Sequence, residues 1–450
     1  MLISYTGFLE LIIVITLTIL TCSTLIKEKE SNKVIRVIGP GLAVIFVLLY
    51  LLLINSSLYR DIILIGLEIV SLIIALLFFL PIRKAVISHI PENLAKIDER
   101  DVMFARATYQ KGDGRYEDYY QRHPELEELD EVFRKLPGLC SPAISTFNPI
   151  STAVAQGNFH FLHDISQFVE GDKVNKPITL SPTQATTDIK GLAKYFGAEL
   201  VGITALKPYH LYSHRGRNPE NYGDVVETNH QYAIVFAVEM DYEMVKNAPQ
   251  SPTIVESSHE YVKAAIIGMQ LTYFIRQLGY DARNHMDGNY LLVAPLLAVD
   301  AGLGEIGRMG ILMTEKFGPR VRLGVVTTDL NLDPDKPVNR GMDDFCLYCE
   351  KCARECPSLS IPHGPKQEIN GIKRWQINQQ SCYSFWCRIG TDCAICMNSC
   401  PYSKPDTLIH KLVRFSLRQS LISRRVFPIL DDYLYGKKPH KKISPDWLKQ

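Results

Sequence analysis

The residue type with the clearest chemical signature in this sequence is cysteine. Nine of the 11 cysteines lie between positions 346 and 400, and the first four of these, followed by a proline, spell CxxCxxCxxxCP. In bacterial ferredoxins, three thiolates of such a run bind one cubane iron–sulfur cluster and the fourth reaches a second cluster. The bunching therefore indicates metal ligation in a reducing setting rather than a framework of disulfides.

A second cysteine set follows with a different spacing. Cys393, Cys396 and Cys400 give CxxCxxxCP, and either Cys382 or Cys387 supplies the remaining ligand. The crossover of ferredoxins then predicts two [4Fe-4S] clusters. The two ligand sets are Cys346, Cys349, Cys352 and Cys400 for the first cluster, and Cys356, Cys393, Cys396 and the upstream thiol for the second. A pair of zinc sites is the alternative, but two Cys-Pro dipeptides and crossover spacing are not features of zinc ribbons.

Cubane clusters conduct electrons and do not by themselves perform chemistry, so another group must receive the electrons. Gly302, Gly304 and Gly307 form GxGxxG, with Asp329 at the distance expected of a dinucleotide fingerprint. The segment before these glycines contains Pro295 and lacks the β-branched strand that the fingerprint requires. The sequence therefore favours a turn that approaches some other large cofactor at Gly302 and Gly304, or one that merely packs closely.

Three apolar runs precede these residues in the chain. They cover residues 11–26, 37–54 and 62–80, each near the roughly 20 residues that a helix needs to cross a bilayer. The uncharged start and the two further spans are not typical of a cleaved signal peptide, and no twin-arginine pair precedes the first span. Glu68 lies inside the third run, where a carboxylate is costly. A protonated or paired glutamate between helices is the favoured interpretation, with a proton path or a partner site as alternatives.

Basic residues beside the apolar runs indicate the orientation. They are Lys27, Lys29, Lys33 and Arg36 in the first loop, only Arg60 in the second, and Arg83, Lys84 and Lys96 after the third run. Because Lys and Arg beside membrane spans are retained on the cytoplasmic side, the amino terminus is expected outside and everything after Leu80 inside. The sequence thus predicts a multi-pass protein of the cell membrane whose soluble part faces the cytoplasm.

Helix and strand signals alternate in the soluble part. Periodicity predicts helices at 190–196 and 258–278 and strands at 199–204, 231–238 and 321–328. This alternation favours an α/β or α+β domain, and the net charge of +1 gives no global drive toward nucleic acid. The predicted divisions are a transmembrane region at 1–82, a linker and first soluble segment at 83–188, a core at 189–335, a cysteine-rich domain at 336–410 and a basic tail at 411–450.

Six sequence stretches of the soluble part occur in an order that can be compared with known families. They are DERDVMFARATYQKGDGRYEDYYQRHPEL near Asp98, GAELVGI at Gly197, EYVKAAIIGMQLTYFIRQLGY from Glu260, AGLGEIGRMG at Ala301, FGPRVRLG at Phe317 and CLYCEKCARECPSLSI at Cys346. This order resembles the corrinoid-dependent reductive dehalogenases over residues 97–440. The usual members carry a cleaved twin-arginine signal and depend on a separate small membrane anchor, in whose place this chain has three fused apolar runs.

The resemblance implies an α/β, nitroreductase-like domain that binds a cobalamin-type corrinoid without a histidine ligand, followed by a ferredoxin-like domain with two [4Fe-4S] clusters. Consistent with this, the DxHxxG signature of histidine-bound corrinoids is absent. The family's proton-donor tyrosine falls on Tyr261 and its companion arginine on Arg322. A guanidinium beside a phenol stabilises the phenolate, so the pair is expected to lower the pKa of the tyrosine.

The resemblance also bears on four further residues. The spacing before Cys393 looks like that of the family's second cluster, which makes Cys382 the better ligand and leaves Cys387 as an extra thiol. Asp287 and the glycine after it occupy the place of an Asn-Gly pair in the family. Tyr212 is a candidate for contact with the substrate pocket or the cofactor, with a packing function as the alternative.

The function that the resemblance implies is reductive dehalogenation, an oxidoreductase reaction on a small organohalide. Electrons from a ferredoxin, a flavodoxin or a quinol-linked protein would pass through both clusters to the corrinoid cobalt, with Tyr261 as proton donor. One alternative is an enzyme like epoxyqueuosine reductase acting on tRNA, which needs a basic RNA-binding face. Apart from Lys437, Lys438, Lys441 and Lys442 the chain offers little of that kind. The other alternative is a non-catalytic membrane electron-transfer subunit without cobalt.

Overall fold

A computed structural model describes residues 2–53, 58–81, 94–144, 147–369, 371–437 and 445–448 of the 450-residue chain. Five basic residues named above lie outside this range, namely Arg83, Lys84, Lys438, Lys441 and Lys442. The helices are α1 Leu2–Lys27, α2 Ile35–Leu53, α3 Leu58–Phe79, α4 Met103–Arg106, α5 Gly114–Arg122, α6 Pro124–Arg134, α7 Pro149–Ile165, α8 Pro182–Tyr195, α9 Tyr242–Val245, α10 Pro252–Gln277, α11 Ala294–Asp300, α12 Met342–Cys349, α13 Lys351–Arg354, α14 Gln379–Ile389, α15 Ile395–Ser399, α16 Leu408–Gln419 and α17 Leu421–Tyr435. The strands are β1 Leu200–Ala205, β2 Tyr232–Glu239, β3 Ala282–His285, β4 Glu305–Ile306, β5 Leu312–Met313, β6 Val321–Thr328, β7 Gln367–Ile369 and β8 Ile372–Arg374.

These elements divide into two compact units. The first, here the terminal unit, comprises Met1–Val86, Arg340–Cys349 and Lys404–Pro439. The second, here the central unit, comprises Ile87–Asn339, Glu350–Ser403 and His440–Gln450. The predicted boundary at residue 336 therefore corresponds to a change of unit only approximately, and α12 groups with the apolar amino-terminal helices.

The terminal unit contains the three predicted apolar helices. α1, α2 and α3 are each long and apolar enough to cross a membrane, and most of their side chains face outward from the unit. Glu68 is half-buried in α3, and its function stays a prediction. The segment from residue 411, predicted as a basic tail, contains most of α16 and all of α17, and both helices pack against α3.

The central unit is built on a four-stranded sheet in the order β1-β2-β6-β3. All three strand pairings are antiparallel. The predicted strands at 199–204, 231–238 and 321–328 are confirmed as β1, β2 and β6. Of the two predicted arrangements, the pairing is that of an α+β sheet, because no parallel βαβ crossover joins these four strands.

Alternation along β2 explains why helices cover both sides of the sheet. Ile234, Phe236 and Val238 pack with side chains of α8 and α10, whereas Val235 and Ala237 pack with α11 on the opposite face. Successive side chains of a strand point to opposite faces, so β2 is buried on both sides and reads as a continuous apolar run. This is why β2 was predictable from sequence.

The long helix α10 carries polar side chains into the sheet. It begins with Pro252, whose fixed φ suits the first helical position, and it stops before Gly279, which has φ +88°. The prediction started this helix at residue 258. The additional turn and a half contains Glu256 and Ser257, both buried, and buried polar groups of this kind dilute the apolar periodicity.

The GxGxxG turn follows a helix, α11, in agreement with the predicted absence of a strand before it. A Cβ atom at Gly302 would collide with the carbonyl oxygen of Lys336, and one at Gly304 with that of Met313. Both glycines are thus required by close backbone packing. Contact of Gly302 and Gly304 with a cofactor stays a prediction.

The packing at Gly304 leads to a stability prediction. We expect Gly304→Ala to lower the free energy of unfolding by about 1–3 kcal/mol, because the added methyl group overpacks a buried turn. The matched control is Gly191→Ala on α8, where a Cβ atom meets nothing within 4 Å. That change should raise stability by about 0.5–1 kcal/mol through helix propensity. Thermal unfolding of both variants in detergent measures the difference, and equal melting temperatures would contradict the packing argument.

Candidate active site

Tyr261, the predicted proton donor, and Arg322, its predicted companion, are in contact in the central unit. Tyr261 lies on α10 and Arg322 on β6, and the guanidinium carbon is 4.8 Å from the centroid of the tyrosine ring. The guanidinium Nη2 donates a short hydrogen bond to Ser257 Oγ and lies 3.3 Å from Asp392 Oδ2. Ser257 is one helical turn before Tyr261 on α10, so one helix positions both the phenol and a hydroxyl that holds the arginine.

The pKa of Tyr261 differs from the sequence expectation. Burial raises the pKa of its phenol, and the charge of Arg322 lowers it only in part, so that the net shift is upward. The expectation of a lowered pKa considered the guanidinium and not the loss of hydration around the phenol. Tyr261 is therefore a protonated phenol at neutral pH, which suits a proton donor and not a base.

A second tyrosine shares this environment. Burial raises the pKa of Tyr290 well above its ordinary value, and the neighbouring Tyr261 and Asp287 raise it further. Its hydroxyl donates a hydrogen bond to the backbone oxygen of Leu323 on β6 at 3.5 Å. Tyr290 is thus a second neutral phenol beside the proposed proton donor.

A second arginine–carboxylate pair adjoins these residues. Arg217 Nη1 lies 3.4 Å from Asp287 Oδ1. Burial alone would lower the pKa of Arg217, but Asp287 and Glu99 reverse the shift and raise it. Burial also raises the pKa of Tyr212 to about 12, with Glu99 adding to the shift, which puts this predicted residue beside the second pair. Each guanidinium in the site is thus accompanied by a carboxylate.

Four contributors to this site were not predicted from the sequence. Ser257, Tyr290 and Asp392 contact or influence the predicted pair, and Arg217 forms the second ion pair. The only local signal belonged to Asp392, which directly precedes the predicted ligand Cys393. The others come from segments that only the fold brings together.

The structure brings the predicted ligands of the second cluster together. Burial raises the pKa of Cys396, and the charges of Cys393, Cys382 and Cys356 raise it further, which places these four thiols as neighbours. Burial raises the pKa of Cys382 to about 11 and that of Cys393 to about 12. Burial alone would also raise the pKa of Cys356, but hydrogen bonds lower it overall, including one from the backbone N–H of Ser360 at 3.3 Å. The set therefore contains one thiol already biased toward the thiolate.

Cys387 lies apart from these four thiols. It packs in an apolar cluster with Met103 and Phe133 and forms a hydrogen bond with Tyr383. Its burial raises the pKa of the thiol. Cys387 thus has the surroundings of a structural cysteine.

The predicted ligands of the first cluster are divided between the two units. Cys346 and Cys349 are buried on α12 of the terminal unit, whereas Cys352 and Cys400 are buried in the central unit. The grouping of this set therefore stays a prediction from spacing. Within the described ranges, no three His, Cys, Asp or Glu side chains are arranged as ligands of one metal ion.

The sequence is similar to those of curated reductive dehalogenases. The chain is 33% identical over 306 residues to the tetrachloroethene reductive dehalogenase of Sulfurospirillum multivorans, with 60% of each protein covered. It is 37% identical over 200 residues to the tetrachloroethene reductive dehalogenase of Dehalobacter restrictus, covering 42% of this chain and 36% of the relative. The chain thus spans less than two thirds of the length of these curated relatives. No protein-family model matches it.

Solved structures of reductive dehalogenases have a similar fold. The catabolic reductive dehalogenase NpRdhA, in complex with 3-bromo-4-hydroxybenzoic acid, matches with a TM-score of 0.65 at 24% identity, over 80% of this chain and 49% of NpRdhA. A reductive dehalogenase described in terms of B12-dependent dehalogenation matches with a TM-score of 0.63 at 24% identity, over the same shares of the two chains. The fold is therefore that of the reductive dehalogenases. The sequence matches agree with the fold, since both comparisons find similarity to reductive dehalogenases.

Proposed function

We propose that this chain is a reductive dehalogenase that replaces a halogen of a small organohalide by hydrogen. The reaction consumes two electrons and one proton for each carbon–halogen bond broken, and it releases one halide ion. The observation that carries the proposal is the half-buried contact between Tyr261 and Arg322, with the guanidinium carbon 4.8 Å from the centroid of the tyrosine ring. A neutral phenol can donate a proton, and a fixed cation beside it stabilises the phenolate that remains.

The chain's own residues have distinct functions in this proposal. The Tyr261 hydroxyl donates the proton to the carbon that loses the halide, and Arg322 stabilises the resulting phenolate. Ser257 and Asp392 hold the guanidinium in place, so that no reorganisation is needed when the negative charge develops. Solvent protons restore the phenol after product release.

A corrinoid is the group that we propose receives the electrons, in line with the B12-dependent relative. When bound, its reduced cobalt would supply the electrons that break the carbon–halogen bond. The residues present fit such a group. Within the described ranges Arg322 Nε and Thr391 Oγ1 are buried without a hydrogen-bond partner and so remain available to a bound molecule. The buried His285 is paired with Thr327, at 2.9 Å from Nε2 to Oγ1.

Two [4Fe-4S] clusters are the proposed electron path to that group. The neighbouring thiols Cys356, Cys382, Cys393 and Cys396 support the second of them. A thiolate is the form that ligates iron, and the hydrogen bonds to Cys356 favour that form. Because Asp392 precedes Cys393 and pairs with Arg322, the proposed cluster loop is connected to the proposed proton donor through one carboxylate. A ferredoxin, a flavodoxin or a quinol-linked protein is the proposed electron source.

The terminal unit is the proposed membrane anchor. α1, α2 and α3 have the length and composition of membrane spans. The basic residues between α1 and α2 favour the cytoplasmic side for that loop, and with three spans the rest of the chain lies on the same side. The cell membrane is thus the proposed location, with the central unit in the cytoplasm.

The arginine gives a prediction for the pH dependence of this reaction. Because Arg322 lowers the pKa of Tyr261, Arg322→Gln should raise that pKa further and leave the phenolate without its cation. We expect turnover to fall by about 10²-fold, with the alkaline limb of the rate profile moved to higher pH. Arg322→Lys retains the charge and is the matched control, with a smaller loss expected. A glutamine variant with wild-type turnover and an unmoved profile would contradict the assigned function of the arginine.

Halide release tests the proposal as a whole. Detergent-purified full-length chain, reconstituted anaerobically with corrinoid, iron and sulfide, is supplied with a reductant and either tetrachloroethene or 3-bromo-4-hydroxybenzoate. We expect halide release from one of these probes and about one cobalt and eight iron atoms per chain. Iron without cobalt and without halide release would instead support an electron-transfer subunit and overturn the proposed function.

A further inference from the structure

The terminal unit exposes an apolar face that does not belong to its three long helices. On α16, Leu408, Leu412 and Phe415 are exposed at intervals of four and three residues, which places them on one side of the helix. On α17, Ile429 and Tyr433 are exposed one turn apart, and Ile429 is 69% exposed. Large exposed apolar patches on a folded protein mark interaction sites.

One end of this helix pair is fixed to the end of the third apolar helix. Ser416 Oγ donates a hydrogen bond to the backbone oxygen of Phe78 at 2.9 Å, and Ser420 Oγ donates one to that of Leu77 at 2.5 Å. The ring of Phe415 stacks on that of Phe79 with centroids 6.2 Å apart. The exposed face of α16 is therefore continuous with the outward-facing surface of α3 at its last turn.

The other end is fixed to the connection between α1 and α2. The hydroxyl of Tyr435 donates to Glu28 Oε2 at 2.7 Å, and Lys33 Nζ donates to the backbone oxygen of Tyr435 at 2.6 Å. Arg36 Nη1 donates to the backbone oxygen of Tyr433 at 2.5 Å. The end of α1, the start of α2 and the end of α3 are the three points where the chain would leave the bilayer on one side. The helix pair thus lies across the place where all three spans emerge.

We propose that α16 and α17 form a membrane-surface hairpin, whose exposed apolar side chains insert at the boundary between lipid headgroups and acyl chains. An amphipathic helix with an apolar face and basic residues beside it lies in that plane. Lys411 and Arg418 of α16 and Arg425 of α17 are exposed and provide the basic residues. The bilayer is the occupant that this position selects, because the face is continuous with helices that have the composition of membrane spans. The inference rests on the proposed anchoring by α1–α3.

The hairpin also carries a helix with predicted cluster ligands. α12, which contains Cys346 and Cys349, packs against α17 in the same unit. The buried Arg424 of α17 joins the two helices, with Nη1 2.8 Å from Asp344 Oδ2, and Arg425 donates to the hydroxyl of Tyr348 at 3.2 Å. A hairpin in the lipid boundary would therefore hold two ligands of the first proposed cluster at the membrane surface, where a membrane-bound donor could reach it.

Tryptophan quenching by brominated lipid tests this inference on the full chain in nanodiscs. The probe is phosphatidylcholine brominated in the upper part of its acyl chains, compared with the unbrominated lipid. Phe415→Trp adds a reporter on α16. Phe46→Trp, 73% exposed on α2, reports the proposed spans, and Tyr195→Trp, 84% exposed on α8, reports a surface of the central unit. We expect brominated lipid to remove most of the fluorescence added at positions 415 and 46, and none of that added at 195.

The three reporters separate the inference from the anchor on which it rests. If position 46 is quenched and position 415 behaves like position 195, the hairpin lies outside the lipid and the inference is overturned, whereas the anchor stands. Two chains per nanodisc together with an unquenched position 415 would assign the face to a second copy and also overturn it. If neither position 46 nor position 415 is quenched, the anchor and the hairpin assignment fail together.

Discussion

Tyr261→Phe should reduce halide release by about 10²- to 10⁴-fold, the usual contribution of a positioned general acid. The substitution removes one hydroxyl and keeps the ring that contacts Arg322 at 4.8 Å. The cation over the ring face is retained, and the fold of α10 is not disturbed. The expected loss therefore belongs to the proton and not to the binding of substrate, so that turnover falls far more than the Michaelis constant changes.

The matched control for this prediction is Tyr273→Phe. Tyr273 lies on the same helix, is 47% exposed and has no part in the site, so its loss should leave turnover unchanged. Both variants should retain the iron and cobalt content of the wild-type chain. Near-normal halide release by the Tyr261 variant would move the proton-donor function elsewhere, and the neighbouring neutral phenol of Tyr290 would be the next residue to replace.

Elements with regular apolar patterns were predictable from the sequence. β2 and β6 read as apolar runs because both faces of the sheet are covered. β3 was not predicted, because its sequence is polar. Its Asn284 donates to the backbone oxygen of Ala265 at 3.1 Å, and His285 pairs with Thr327. Such a strand is stabilised by hydrogen bonds inside the core, and those partners are distant in sequence.

The site shows a similar division between what was predictable and what was not. The Tyr261–Arg322 pair followed from a resemblance, and the structure places the two side chains in contact, whereas their function stays a prediction. The groups around this pair could not be predicted from the sequence. Ser257, one turn earlier on α10, and Asp392, in the loop before α15, both contact the arginine. Desolvation depends on everything that surrounds a group, so the upward shift in the pKa of Tyr261 required the fold.

Lys33 and Arg36 have a structural function in addition to the predicted one. Lys33 and Arg36 were interpreted only as signals of orientation. In the terminal unit both donate hydrogen bonds to backbone oxygens at the end of α17. These contacts cap carbonyl groups that have no partner within the helix. The charges near the membrane spans therefore also join α17 to the amino-terminal helices, which a count of charges per loop does not reveal.

The two cysteines of α14 provide a test of the second cluster within one helix. Cys382→Ser should remove a cluster ligand, and the chain should lose about four iron atoms. Cys387→Ser, five residues later on the same helix, changes a thiol that packs with Met103 and Phe133, and should leave the iron content unchanged. Iron analysis and low-temperature electron paramagnetic resonance of the anaerobically purified variants measure this difference.

Comparing the two variants distinguishes the loss of a cluster ligand from a general destabilisation of α14. Cys382 lies among three other thiols, as its influence on the pKa of Cys396 shows, whereas Cys387 has Tyr383 as its hydrogen-bond partner. A general destabilisation of α14 would lower the iron content of both variants, and the loss of a ligand lowers it only in the first. Turnover should follow the iron content, because electrons cannot reach the proposed active site past a missing cluster. If Cys387→Ser lost the iron and Cys382→Ser retained it, the ligand assignment would be reversed, and the electrostatic grouping of the four thiols would not be that of a cluster.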